Sequence, residues 1–181
     1  MDRFTKHIMP QVPGCPKAVI EAEVLRAAIT FCSDSWIWQS KLEETVLSGD
    51  DEIPISIPRN SMMVGVYIAI DGREVNTYTL DGLAAILDDA VTADTLFEIT
   101  VFLAPSRAAV ELPDILYNEW FTGIESGARA LLMVMPEKPW SNPQLALANQ
   151  QQMFVELGKA KMKARRINDQ SRLRVQRRPF V

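Results

Sequence analysis

The stretch MMVGVYIAI-DG-REVNTYTL, residues 62–80, decides the fold. Residues 62–70 are apolar and rich in β-formers. Asp71-Gly72 is the two-residue signal of a type I′ turn, and residues 73–80 read as the returning strand. The same period continues upstream. Ile53, Ile55 and Ile57 alternate with Pro54, Ser56 and Pro58, a short strand whose prolines place it at a sheet edge. Before them, Trp36, Trp38, Ser40, Leu42 and Glu44 alternate on one side of a strand that runs on through Thr45-Val46-Leu47, and residues 48–52 make a turn. Downstream, residues 95–103 form a further strand and Ala104-Pro105-Ser106 closes the β region. Between them, Leu83, Ala84, Ile86 and Leu87 suggest a short helical turn within residues 81–94.

Outward from this β unit the period changes to that of helices. Residues 1–14, with Pro10, Pro13 and Gly14, read as an extended or turning arm. Pro16 suits a first helical turn. Val19, Ala22, Leu25, Ile29 and Cys32 then recur at helical spacing, and the helix should fade near Ser33-Asp34-Ser35. After Pro113, Asp114 is placed to cap a helix through Trp120, Phe121, Ile124, Ala128 and Leu131 to about residue 134. Residues 136–143 are a rigid break holding Trp140. Ser141 or Asn142 caps a last helix over residues 143–166, with Leu145, Ala148, Gln152, Val155 and Met162 along its face. Residues 172–181 read as extended.

The expected class is therefore α+β. An N-terminal helix and two long C-terminal helices form a helical bundle (residues 1–35 and 107–168). An antiparallel β-sheet or sandwich is inserted at residues 36–106, and a basic tail occupies residues 169–181. With 181 residues and 48% apolar composition, the chain can bury a core without disulfides. Cys15 and Cys32 lie too far apart along a helix to pair and should be free thiols. No apolar run reaches the roughly 18–20 residues of a membrane span, and the N-terminus has no secretory h-region.

Charge is divided unevenly. Residues 159–181 hold nine basic residues against one acid, a net +8. The preceding 158 residues hold ten basic and 22 acidic residues, a net −12. A basic tail on an acidic body points to a polar partner at the tail. Part of it, near the helix end, also complements the helix dipole.

Catalytic constellations are absent from the pattern, and no enzyme is expected. His7 is the sole histidine, so neither a Ser-His-Asp nor a Cys-His site nor a four-ligand zinc site can be assembled around histidines. Neither GxxxxGK[ST] nor GxGxxG occurs, and no cofactor is expected. Glu43-Glu44 point to opposite strand faces, and Asp50-Asp51-Glu52 and Asp88-Asp89 read as solvated turn acids. Gly49-Asp50-Asp51 matches a polymerase triplet in letters alone. The four tryptophans read as core or interface residues, because an acidic body opposes nucleic acid.

The order of Pro13-Gly14-Cys15-Pro16, Leu25-Arg26-Ala27-Ala28-Ile29, Phe31-Cys32, Trp36 and Trp38 resembles the opening of tailed-bacteriophage head-to-tail adaptor (connector) proteins. The back half is similar too, in Leu112-Pro113-Asp114-Ile115-Leu116, Gly127-Ala128, Pro136, Pro139-Trp140, Asn142-Pro143 and Phe154. The resemblance spans most of the chain, while residues 81–94 depart from the family pattern. It implies a structural virion protein, made in the bacterial host cytoplasm. Neighbouring copies would form a ring, usually of twelve, that docks under the portal protein. The ring would pass packaged DNA through its lumen and receive the next tail component, a nozzle or tail-tube terminator. The expected portal or DNA contacts are Lys163, Arg165, Arg166, Arg172, Arg174, Arg177 and Arg178, with Phe180 as an apolar anchor. Asp71 and Gly72 are the expected tail-facing loop. The alternatives are a tail-completion or nozzle component of the same region, and a small DNA-binding regulator that uses the basic tail.

Overall fold

A computed structural model of the chain describes residues 1–172 except Asn76, with side chains as far as Ile167. The class is α+β, in two packed parts joined by β strands.

The helical part comprises α1 (Asp2–Ile8), α2 (Lys17–Ser35), α3 (Asp114–Met133) and α4 (Pro143–Arg172). α3 lies between α2 and α4. Gly123 faces Phe31 of α2 and Glu156 of α4, and Gly127 faces Ala27 and Met153, so α3 runs antiparallel to both. α2 and α4 are consequently parallel. The core between them holds Phe31, Val24, Ile20, Trp120, Ile124, Leu132, Leu157 and Ala160.

The N-terminal arm is not extended. Residues 2–8 are helical, and Phe4, Ile8 and Val12 are buried in this core. A seven-residue helix is marginal by itself. Here Phe4 stacks on Phe121 with ring centroids 4.8 Å apart, and packing supplies what length does not.

The β part is a two-sheet sandwich. One antiparallel sheet has the order β1-β7-β3-β4, from β1 (Gln39–Val46), β7 (Thr95–Pro105), β3 (Ser61–Ile70) and β4 (Arg73–Glu74). The other has the order β2-β6-β5, from β2 (Glu52–Pro54), β6 (Ala84–Leu87) and β5 (Tyr78–Asp81). Ile68, Phe97, Ile99, Val101 and Leu103 of the first sheet meet Ile53, Ala85 and Leu87 of the second. The type I′ turn is present, with φ of +50° at Asp71 and +75° at Gly72. Proline-bearing β2 lies at a sheet edge, as its sequence implies.

Four expectations are corrected. The strand expected to include Trp36 begins at Gln39, because α2 continues to Ser35 and Trp36 caps it in the left-handed conformation at φ +57°. The return of the hairpin splits: β4 stays beside β3, and β5 crosses to the second sheet. Residues 84–87 are a strand, not a helical turn, because β2 and β5 both pair with them. Asp114 is the first residue of α3 and offers no side-chain cap, whereas Asn142 Oδ1 accepts the Leu145 N–H at 3.1 Å and caps α4.

Cys15 and Cys32 are free and buried. Burial pushes the Cys32 thiol from its ordinary 9.0 up to about 12. The unfolded chain then releases this proton at lower pH than the folded one. Stability from the neutral thiol is intact below pH 9.0 and is lost as pH rises from there toward about 12. Thermal melts across that interval should fall more steeply for the wild type than for Cys32→Ala. Parallel slopes would contradict it.

Candidate functional site

Two surfaces of opposite charge and two apolar helix faces stand out. Each is set by how the elements pack.

The basic surface lies along the end of α4. At 1.5 Å per residue its 30 residues span about 45 Å. Small residues Ala146, Ala160 and Ala164 on its inner face let it lie close to α3. With Gly123 level with Glu156, the start of α3 at Asp114 lies level with residue 165. Beyond that level α4 has no α3 to cover, and its charged run has begun earlier, at Lys159.

The expected contact residues are not equivalent. Lys163 is engaged within the chain, in an ion pair with Glu119 and with its ammonium 5.9 Å from the Trp120 ring centre. Lys159 pairs with Glu156 at 2.7 Å. Lys161, Arg165 and Arg166 are exposed, and no ion pair among the described residues uses them. Arg172 is the last residue of α4 and not part of an extended tail, since the helix runs six residues past its expected end at 166. Arg174, Arg177, Arg178 and Phe180 lie outside the described residues.

The acidic surface is the far tip of the β sandwich. β1 and β7 run from the Gln39–Phe102 pair beside α2 to the Val46–Thr95 pair, about 23 Å away. At that tip the turn after β1 is tied to the segment before β7. Gly49 N–H donates to the Val91 carbonyl at 2.8 Å, Val91 N–H to Asp50 at 2.9 Å, and Ser48 N–H to Asp94 Oδ1 at 2.9 Å. Exposed Asp50, Asp51, Glu52, Asp88 and Asp89 gather there. Among the described residues no group of three or more His, Cys, Asp or Glu side chains is arranged to hold a metal ion. Asp71 and Gly72 are exposed at the hairpin turn between β3 and β4.

The helical stripes expected from the sequence are only partly the buried ones: of the α2 stripe, Cys32 is in the core and Val19 packs against it. On α2, Ile20, Val24, Ala27, Ala28, Phe31 and Ser35 are buried, whereas Ala22 is exposed and Leu25 and Ile29 lie outside both cores. On α4, Ala146, Leu157, Ala160 and Ala164 are buried. Leu147 (57%), Phe154 (57%), Val155 (54%) and Met162 (56%) stay more than half exposed. Trp36 is exposed too, stacked on Phe102 with centroids 4.7 Å apart. The strand register adds a pair that sequence alone could not show: Glu43 and Glu98 sit directly opposite each other on the outer sheet face.

His7 is exposed and meets the Phe121 ring edge-on at 4.9 Å. No helix among the described residues is long and apolar enough to cross a membrane. No protein-family model matches the chain, and no curated protein matches it.

Proposed function

We propose that the chain is a structural head-to-tail adaptor of a tailed-phage virion. Copies form a ring, with twelve as the expected number, that docks under the portal, extends the DNA channel and presents a platform to the next tail component. The proposal starts from the sequence resemblance. The structural observation that supports it is the distribution of charge: among the described residues, exposed Lys161, Arg165 and Arg166 on the end of α4 and exposed Asp50, Asp51, Glu52, Asp88 and Asp89 at the β tip are in no ion pair. Acids facing a channel let DNA slide without adhering, because like charge suppresses binding. Cations at a helix end suit a partner that presents carboxylates or phosphates. In this reading Arg165, Arg166 and the basic residues beyond them meet the portal, and the β part faces the tail.

The test is the mass of the purified chain with and without the portal of the same virus, by light scattering. Capture of about twelve copies per portal is the expected result. Removal of residues 169–181 should abolish capture while leaving the circular-dichroism melt unchanged, since the described core lies elsewhere. Undiminished capture by the truncated chain would sink the assignment of the contact. The same unpaired cations favour one second reading, a small DNA-binding regulator. It requires DNA affinity that falls steeply with salt and no portal capture.

A further inference from the structure

We infer that the free chain pairs edge to edge with a second copy of itself. The β1 strands of the two copies lie antiparallel about a twofold axis at Leu42, which joins two sheets into one. The inference goes beyond the adaptor reading and does not rest on it.

β1 is the edge of its sheet, with β7 on one side only. Leu103 N–H donates to the Trp38 carbonyl at 2.8 Å, so Trp38 turns its backbone groups toward β7. Alternation turns those of Ser40, Leu42, Glu44 and Val46 the same way, and those of Gln39, Lys41, Glu43 and Thr45 outward. Beyond the ladder with β7, no backbone hydrogen bond among the described residues uses these outward groups. The edge is eight residues long, without proline and without a bulge in its register. An edge of that kind is a template for another strand.

Charge selects the occupant and the register. Lys41 and Glu43 stand two apart on the outer sheet face, both exposed and in no ion pair among the described residues. Pairing centred on Leu42 sets Lys41 of each copy directly opposite Glu43 of the other, twice by symmetry. Glu43 thereby gains a cation, where its neighbour across to β7 is a second acid, Glu98. Centred on Glu43 instead, the pairing would bring four acids into one row; centred on Lys41, it would oppose lysine to lysine.

The rest of the strand agrees. On the inner face, Leu42 meets Leu42 beside the sandwich core, and the Ser40 hydroxyl comes opposite the Glu44 carboxylate. Gln39 comes opposite Thr45. Just past it, Leu47 (58% exposed) points toward the partner's end that holds Trp36 (47% exposed), which stacks on Phe102 beside Gln39. Four hydrogen-bonded pairs supply roughly eight backbone hydrogen bonds. A contact between identical surfaces closes at two copies, so the dimer is a form of the unassembled chain and separate from any ring contact.

The test is sedimentation velocity of the full-length chain, without portal, from micromolar to millimolar concentration. A species of twice 20.3 kDa is expected. Glu43→Lys and Lys41→Glu should each raise the dimer dissociation constant at least tenfold while leaving the circular-dichroism melt in place. The double variant, with the two signs exchanged, should restore pairing. Under mild oxidation, Ser40→Cys mixed with Glu44→Cys should give disulfide heterodimers and neither variant alone a homodimer; the native thiols are buried. A monomer throughout the range, a dimer that neither charge variant weakens, or homodimers of either cysteine variant would overturn the inference. Portal capture is read separately. A dimer without capture sinks the adaptor reading alone, and capture of a chain that is monomeric when free sinks this edge alone.

Discussion

Phe31→Ala should lower the unfolding free energy by about 3–5 kcal/mol, a drop of roughly two to four orders of magnitude in the folding equilibrium. The Phe31 ring is fully buried where all three long helices meet. It lies against the Trp120 ring at 5.7 Å and over the Gly123 backbone of α3. Removing it leaves a cavity bounded by backbone on one side, which cannot collapse far. Urea denaturation measures the loss. A change below about 1 kcal/mol would mean that the helices close over the gap.

Gly123→Ala should also destabilise, by about 1–2 kcal/mol, although alanine favours a helix over glycine by about 1 kcal/mol. A Cβ at 123 would sit 2.8 Å from Phe31 Cε2 and 2.9 Å from Glu156 Cβ. The first belongs to a ring fixed by its own packing, and the second is anchored to the α4 backbone, so the helices themselves must separate. Gly127→Ala is the control. Its Cβ would meet Met153 Sδ at 2.6 Å, the movable end of a flexible side chain, and Ala27 Cβ at 3.2 Å. There the gain in helix propensity should offset the crowding to within about 1 kcal/mol. Equal losses at both positions would show that glycine is needed for some reason other than close approach.

The type I′ turn was legible in the sequence because its chemistry is local: two residues with positive φ suffice. The long helices were legible from period, and the α4 cap from Asn142. What could not be read was which side of α2 and α4 faces inward. Both helices are apolar on two sides, so Leu25 and Ile29, or Leu147 and Val155, satisfy the helical period as well as the buried set does. Periodicity locates a stripe and says nothing of whether its neighbour belongs to the same chain. Residues 84–87 failed for a related reason: as a strand they depend on β2, some 30 residues away, and on β5. The N-terminal helix failed because Pro10, Pro13 and Gly14 advertise a turn, while Phe4 and Ile8 need Phe121 and the α2–α3 core before they fold. Of the candidate site, Arg165 and Arg166 are exposed on α4 and in no ion pair among the described residues. The engagement of Lys163 with Glu119 spans 44 positions and left no local trace.

The pairing of Gln39 with Phe102 has a kinetic consequence. The polypeptide enters and leaves the β sandwich through adjacent positions on neighbouring strands. Once the sandwich has formed, α2 and α3 are joined by what is in effect a tight turn. Without it, bringing these helices together would close a loop of roughly 60 residues, an entropic cost on the order of 3–4 kcal/mol. The order of events is thereby biased: strands first, then helices. Stopped-flow refolding should accordingly register β1–β7 pairing ahead of Phe31 burial.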